Sequence, residues 1–122
     1  MIYYKELSEK IIGLAIDVHK GLGNGFLEKV YENALLFELT RNNIDAKQQH
    51  PITVIYKGQV VGEYFADILI EGKIILELKT TKKIEPIHEA QLLHYLKATN
   101  IKVGYILNFG SAAKLEFKRM VN

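Results

Sequence analysis

Residues 65–80 read FADILIEGKIILELKT. Two apolar runs flank a Glu-Gly-Lys turn, with Asp67 inside the first run and Glu77 and Lys79 inside the second. Strand interiors rarely carry charge, because a half-buried pleated surface strips an ionised group of water. Side chains alternate faces along a strand, so register decides which of these groups meet. A loop of Glu71 and Gly72 alone pairs Ile70 with Lys73 and sends Asp67 and Glu77 to opposite faces. A loop of Glu71, Gly72 and Lys73 pairs Ile70 with Ile74, Ile68 with Leu76 and Ala66 with Leu78. One face is then wholly apolar, and the other carries Asp67 directly opposite Glu77, with Lys79 two residues along. Burial selects this second register. Like charges directly opposite destabilise a sheet. A divalent cation between them offsets that repulsion, since hard cations take carboxylate oxygens. The competing explanation is two solvated carboxylates, one of them in an ordinary ion pair with Lys79.

Working outward, apolar periodicity predicts a helix over residues 5–20, carried by Leu7, Ile11, Leu14, Ala15 and Val18. GLGNG at 21–25 breaks it. A second helix is expected from about Phe26 to Arg41, with Leu27, Val30, Ala34, Leu35 and Leu39 as its stripe. Residues 52–57, 60–70 and 73–80 read as strands. Pro86 suits the first turn of a third helix reaching about Thr99. Residues 102–109 and 114–121 are two further strands. The order ααβββαββ predicts an α+β or mixed α/β fold, one sheet with helices packed on it.

The sequence has 122 residues and shows no repeat, linker or low-complexity tract, so a single domain over 1–122 is expected. It has no cysteine, which excludes a disulfide framework, a thiolate zinc site and a cysteine nucleophile. No apolar stretch has membrane-spanning length, and MIYYKELSEK lacks the apolar core of a signal peptide. A soluble, cytoplasmic protein is the expectation. The net charge of +2 is too small to announce a nucleic-acid binder by itself. The three glycines of GLGNG do not follow a strand, which disfavours a dinucleotide-binding turn.

An Asp on one strand, Glu-x-Lys on the next and a helix after them resemble the PD-(D/E)XK nuclease superfamily. Its restriction-endonuclease-like core, αβββαβ, matches residues 26–109. GNGFLEKVYENAL contains Gly25, Glu28 and Tyr31 in a G-x-x-E-x-x-Y arrangement that is similar to the GxxExxY family, a branch of that superfamily. DVHKGLG and EAQLLHYL resemble it too. Ala66 stands where the superfamily pattern has proline. The resemblance implies a nuclease that uses Mg²⁺ or Mn²⁺ on DNA or RNA. It makes Asp67 and Glu77 metal ligands and Lys79 the catalytic lysine. Glu28 becomes the additional helical acid, and Gln91 and Tyr95 a catalytic Q-x-x-x-Y pair. The helices before and after the sheet are then expected to cover the same face, bringing Glu28 and Gln91 to one cavity.

The residues also carry blander readings. Glu28 suits the positive end of a helix dipole, and Tyr31 suits a core. His19 lies near a helix C-terminus, His88 and His94 flank Gln91 on one helix, and His50 beside Pro51 reads as loop; none has an assigned chemistry. Lys82 and Lys83 suit either a phosphate track or a solvated loop. The enzyme reading competes with a nuclease-like fold that binds nucleic acid or a protein partner without cutting. The small size and weak charge are compatible with a homodimer or a subunit.

Overall fold

The computed structural model describes residues 2–122. Among them, three helices and five strands follow the expected order: α1 (Lys5–Leu22), α2 (Glu28–Arg41), β1 (Ala46–Tyr56), β2 (Gln59–Ile70), β3 (Ile74–Lys79), α3 (Pro86–Thr99), β4 (Val103–Asn108) and β5 (Glu116–Val121). The strands form one mixed sheet in the order β1-β2-β3-β4-β5. Only β3 and β4 run parallel, because α3 carries the chain back between them. The result is an α+β fold consistent with a restriction-endonuclease-like core.

The 65–80 hairpin adopts the three-residue loop. Ile70 faces Ile74, Leu69 faces Ile75 and Ile68 faces Leu76. Glu71 and Gly72 take left-handed backbone angles, and the Lys73 amide donates to the Ile70 carbonyl at 2.8 Å. Ile68, Ile70, Ile74, Leu76 and Leu78 pack with α1 and α2 through Ile11, Ala15, Leu35 and Leu39. The opposite face is not open to water: Leu69, Ile75 and Ile106 pack beneath Leu92, Tyr95 and Leu96 of α3. α2 and α3 therefore cover opposite faces of the sheet, not the same face as expected, since both faces of the hairpin base are apolar. Ala66 departs from the expected pattern as well. It packs in the α3-side core, while Ile68, two residues on, packs in the other. The strand changes face at Asp67.

β1 begins six residues earlier than the sequence pattern suggests, and His50 and Pro51 lie within it rather than in a loop. Proline is tolerated there because β1 is an edge strand. The β1–β2 arm is long, with Ile55, Tyr56, Val60 and Val61 exposed.

The end of β3 is tied down from β4. Lys79 pairs with Asn108 in the parallel ladder, and its carbonyl accepts from the Phe109 amide at 2.8 Å. The fully buried Asn108 carboxamide accepts from the amides of Thr81 and Gly110 and donates to Glu116. The chain at Gly110 runs so close to this turn that a Cβ there would meet the Thr80 carbonyl carbon and the Thr81 amide nitrogen at 2.6 Å. Backbone cannot rotate aside as a side chain does. Gly110→Ala is therefore expected to cost about 1–3 kcal/mol of stability, the usual range for overpacking. Chemical denaturation of the variant beside the wild type measures it, and an unchanged midpoint would show that the two loops can part.

Candidate active site

The ladder between β2 and β3 stops at Ile68 and Leu76. One step further, side chains take its place. The Asp67 amide donates to Glu77 Oε2 at 2.9 Å, and the Leu78 amide donates to Asp67 Oδ2 at 2.8 Å. Each carboxylate thus substitutes for a missing strand carbonyl and uses one oxygen on the opposite strand. Asp67 and Glu77 are brought together as the register requires. Lys79 follows at the end of β3, and among the described residues no ion pair holds its ammonium.

Burial makes this arrangement costly for charge. Glu77 is only 6% exposed. Loss of hydration, then the neighbouring Asp67 charge, push its pKa up to about 8, against the opposing pull of the Asp67 amide and Lys79. Asp67 is raised as well, chiefly by burial, although the Leu78 amide and Lys79 favour its charged form. The two carboxyls titrate as a pair.

Glu28 is the first residue of α2. Burial raises its pKa, while the Lys79 charge lowers it and Asp67 raises it, so its carboxylate lies in the field of the same cleft. The G-x-x-E-x-x-Y arrangement explains how it gets there. Gly25 takes a φ of 118° that side chains rarely adopt. Tyr31 is fully buried, stacks on Phe109 at 4.7 Å, and its hydroxyl donates to the Gly23 carbonyl and accepts from the Phe26 amide. Tyr31 is therefore core, and it also pins the turn that launches α2 with Glu28 at its tip.

From the other face, Tyr95 lies in the electrostatic field of the carboxylates. Burial and then Glu77 push its pKa up to about 12, so its hydroxyl keeps its proton at neutral pH. Gln91 lines one groove with Tyr95, Tyr64, Ile87 and His94, and the cavity measures about 660 Å³. Among the described residues Gln91 makes no hydrogen bond to either carboxylate. Of the other histidines, His19 bonds the Ser111 carbonyl, and His88 accepts from the Glu85 amide as part of the α3 cap.

Sequence reasoning missed Glu32, one turn after Glu28. It is 4% exposed and receives Lys29 and Gln48 on Oε2 and Gln49 on Oε1. With its oxygens so engaged, Glu32 is not free to take a ligand, whereas Glu28 is. A carboxylate spaced four residues from Glu28 was the signal available. Asn108 was missed as well, and nothing in its local sequence marks it.

Among the described residues no three His, Cys, Asp or Glu side chains are grouped to hold a metal alone. The donor set fits Mg²⁺ none the less, because that ion keeps several waters and commonly takes one or two carboxylates plus substrate phosphate. Asp67 and Glu77 each have a second oxygen to offer.

The raised pKa values set a pH dependence. Between 4.5 and about 8 the folded protein holds a proton on the pair that an unfolded Glu77 has released. This contribution to stability is complete below 4.5 and is lost as pH climbs through about 8. Metal-free protein should melt at progressively lower temperature across that window, and Glu77→Gln should flatten the dependence. Equal slopes for the two proteins would contradict the assignment.

Residues 5–120 match the family described as the PD-(D/E)XK nuclease superfamily. No curated protein matches the sequence. Among solved structures, the crystal structure of SSO0001 superposes with a TM-score of 0.59 at 20% identity over 78% of this chain. The chain spans about half the length of that protein, and the likeness concerns the fold. With the match extending over nearly its whole length, the chain belongs to the PD-(D/E)XK nuclease superfamily.

Proposed function

We propose that the protein is a metal-dependent nuclease that hydrolyses phosphodiester bonds of DNA or RNA. One observation carries the reading most strongly. A buried Glu77 and a half-buried Asp67 on adjacent strands are held opposite each other by the strand amides, and among the described residues no ion pair engages the Lys79 ammonium next along the chain. In the metal-free protein a proton retained on the pair offsets the repulsion, and a bound cation would do the same. Superfamily members generally use divalent metals, and Asp67 and Glu77 are the residues to hold one here. When bound, Mg²⁺ or Mn²⁺ supplies an acidified water and neutralises phosphate charge. Lys79 orients that water and stabilises the negative charge developing on the phosphate. Glu28, near the pair, would accept hydrogen bonds from water or take up a proton. The Tyr95 hydroxyl, which keeps its proton, would be a donor for substrate near the carboxylates, and Gln91 would border the path of the strand. The Gly25, Glu28 and Tyr31 arrangement favours the GxxExxY branch.

The same reading takes residues 1–122 as one domain and places it in the cytoplasm. No helix among the described residues is long and apolar enough to cross a membrane. The lysines after the site, Lys82 and Lys83, suit a phosphate backbone.

Thermal melts and a cleavage panel on single- and double-stranded DNA and RNA, with and without Mg²⁺ or Mn²⁺, test the proposal. A ligand at a hundredfold excess over its Kd adds about 2.7 kcal/mol to a folded site. The wild type should gain stability with metal and cut at least one substrate. Asp67→Asn and Glu77→Gln should lose both effects, without loss of metal-free stability, because the repulsion is relieved. Lys79→Ala should keep the metal shift and lose cleavage by roughly 10²-fold or more. A metal shift with no cleavage by the wild type would favour a binding protein built on a nuclease fold.

A further inference from the structure

Gln48 and Gln49 both donate to the buried Glu32 carboxylate, at 2.7 and 3.1 Å. Consecutive residues of a regular strand point to opposite faces, so two neighbouring glutamines cannot both reach one carboxylate from it. They do so here because Gln49 has a φ of 52°, in the left-handed region that non-glycine residues rarely enter. The β1–β2 ladder pairs Gln48 with Ile68 and His50 with Ala66, and skips the step between. The residue opposite Gln49 in that skipped step is Asp67. Both strands are thus distorted at one register position: β1 turns its amide inward, and β2 switches its packing face. Paired distortions of this kind re-aim a side chain. Strained backbone persists only where its surroundings hold it, and Glu32 on α2 is the group that holds Gln49.

We infer that Gln49 is a positioning residue for Asp67, locked by Glu32 so that the Asp67 carboxylate is aimed between β2 and β3. Its amide also lies near enough to Asp67 to favour the charged form of that carboxylate. α2 then contributes twice to the cleft, through Glu28 at its tip and through Glu32 one turn later. The part of this inference that concerns metal rests on Asp67 being a ligand.

Two measurements test it. The first is amide exchange by NMR on metal-free protein. The Leu78 amide donates to Asp67 Oδ2, so its exchange reports where that carboxylate sits. In Gln49→Gly, Leu78 should exchange at least tenfold faster, while the Leu35 amide in α2 keeps its wild-type rate. Equal acceleration at both would mean a general loss of stability and overturn the inference, as would no change at Leu78. The second is Mn²⁺ titration. Loss of a group that orients a ligand weakens metal binding by about 10–100-fold. Gln49→Gly and Glu32→Gln should do this, and Gln48→Ala, which spares the amide opposite Asp67, should stay within about twofold of wild type by the same comparison. Wild-type Mn²⁺ affinity in Gln49→Gly would overturn the positioning role. If the wild type binds no Mn²⁺, the metal reading fails by itself, and Leu78 exchange decides the positioning role alone.

Discussion

Two hydrogen bonds hold the centre of this protein in a state that a sheet ordinarily avoids. Where β2 and β3 should continue their ladder, the amides of Asp67 and Leu78 turn to carboxylate oxygens instead of strand carbonyls. Charge-assisted bonds of this type are stronger than the neutral ones they replace. They let the strands part without leaving buried donors unsatisfied, and no buried side-chain polar atom among the described residues lacks a partner. Glu28 from one face and Tyr95 from the other lie within electrostatic reach of the carboxylates there.

The rest of the fold keeps that opening rigid. The α1–α2 core holds Ile68, Leu76 and Leu78 from one side, and α3 holds Leu69 and Ile75 from the other. Close packing resists small displacements, so the split strands cannot drift back together. Asn108 and the Phe109 amide fix the backbone of Lys79 and the turn beyond it. Tyr31 fixes the start of α2. Lys79 and Glu28 are thus steadied from different parts of the fold.

Much of this was legible from spacing. The alternation of Ile68, Ile70, Ile74 and Leu76 against a three-residue loop leaves one sensible register, because only that register buries a continuous apolar face. Apolar periodicity marked α1 and α2, although Leu27 and Val30 of the stripe expected for α2 are exposed, and Pro86 marked the start of α3. What spacing could not show was how the faces are shared. Leu69 and Ile75 are apolar as well, so the charged side of the hairpin is also buried, and α3 rather than water covers it. Ala66 fits either face by size, which hid the change of face at Asp67. Gln49 fell before the strand expected from residue 52, and left-handed backbone at a glutamine has no local signature. The contribution of Glu32 depends on residues sixteen and seventeen positions away. Such contacts follow from tertiary packing and from nothing in the neighbouring sequence.

The hairpin's short loop has a consequence for the order of assembly. Asp67 and Glu77 lie ten residues apart, and a hairpin of that size forms fast, on the order of 1–10 μs. Glu28 and Glu32 must come from α2, across β1 and the long arm, and Tyr95 must wait for the parallel crossover to dock. Non-local pairings of that kind form late, because loop-closure entropy is met before they are rewarded. The carboxylate pair is therefore a local product of folding, and the cleft around it a global one. The enclosed cleft exists only once the last helix is seated, whereas the pair at its centre needs the hairpin alone.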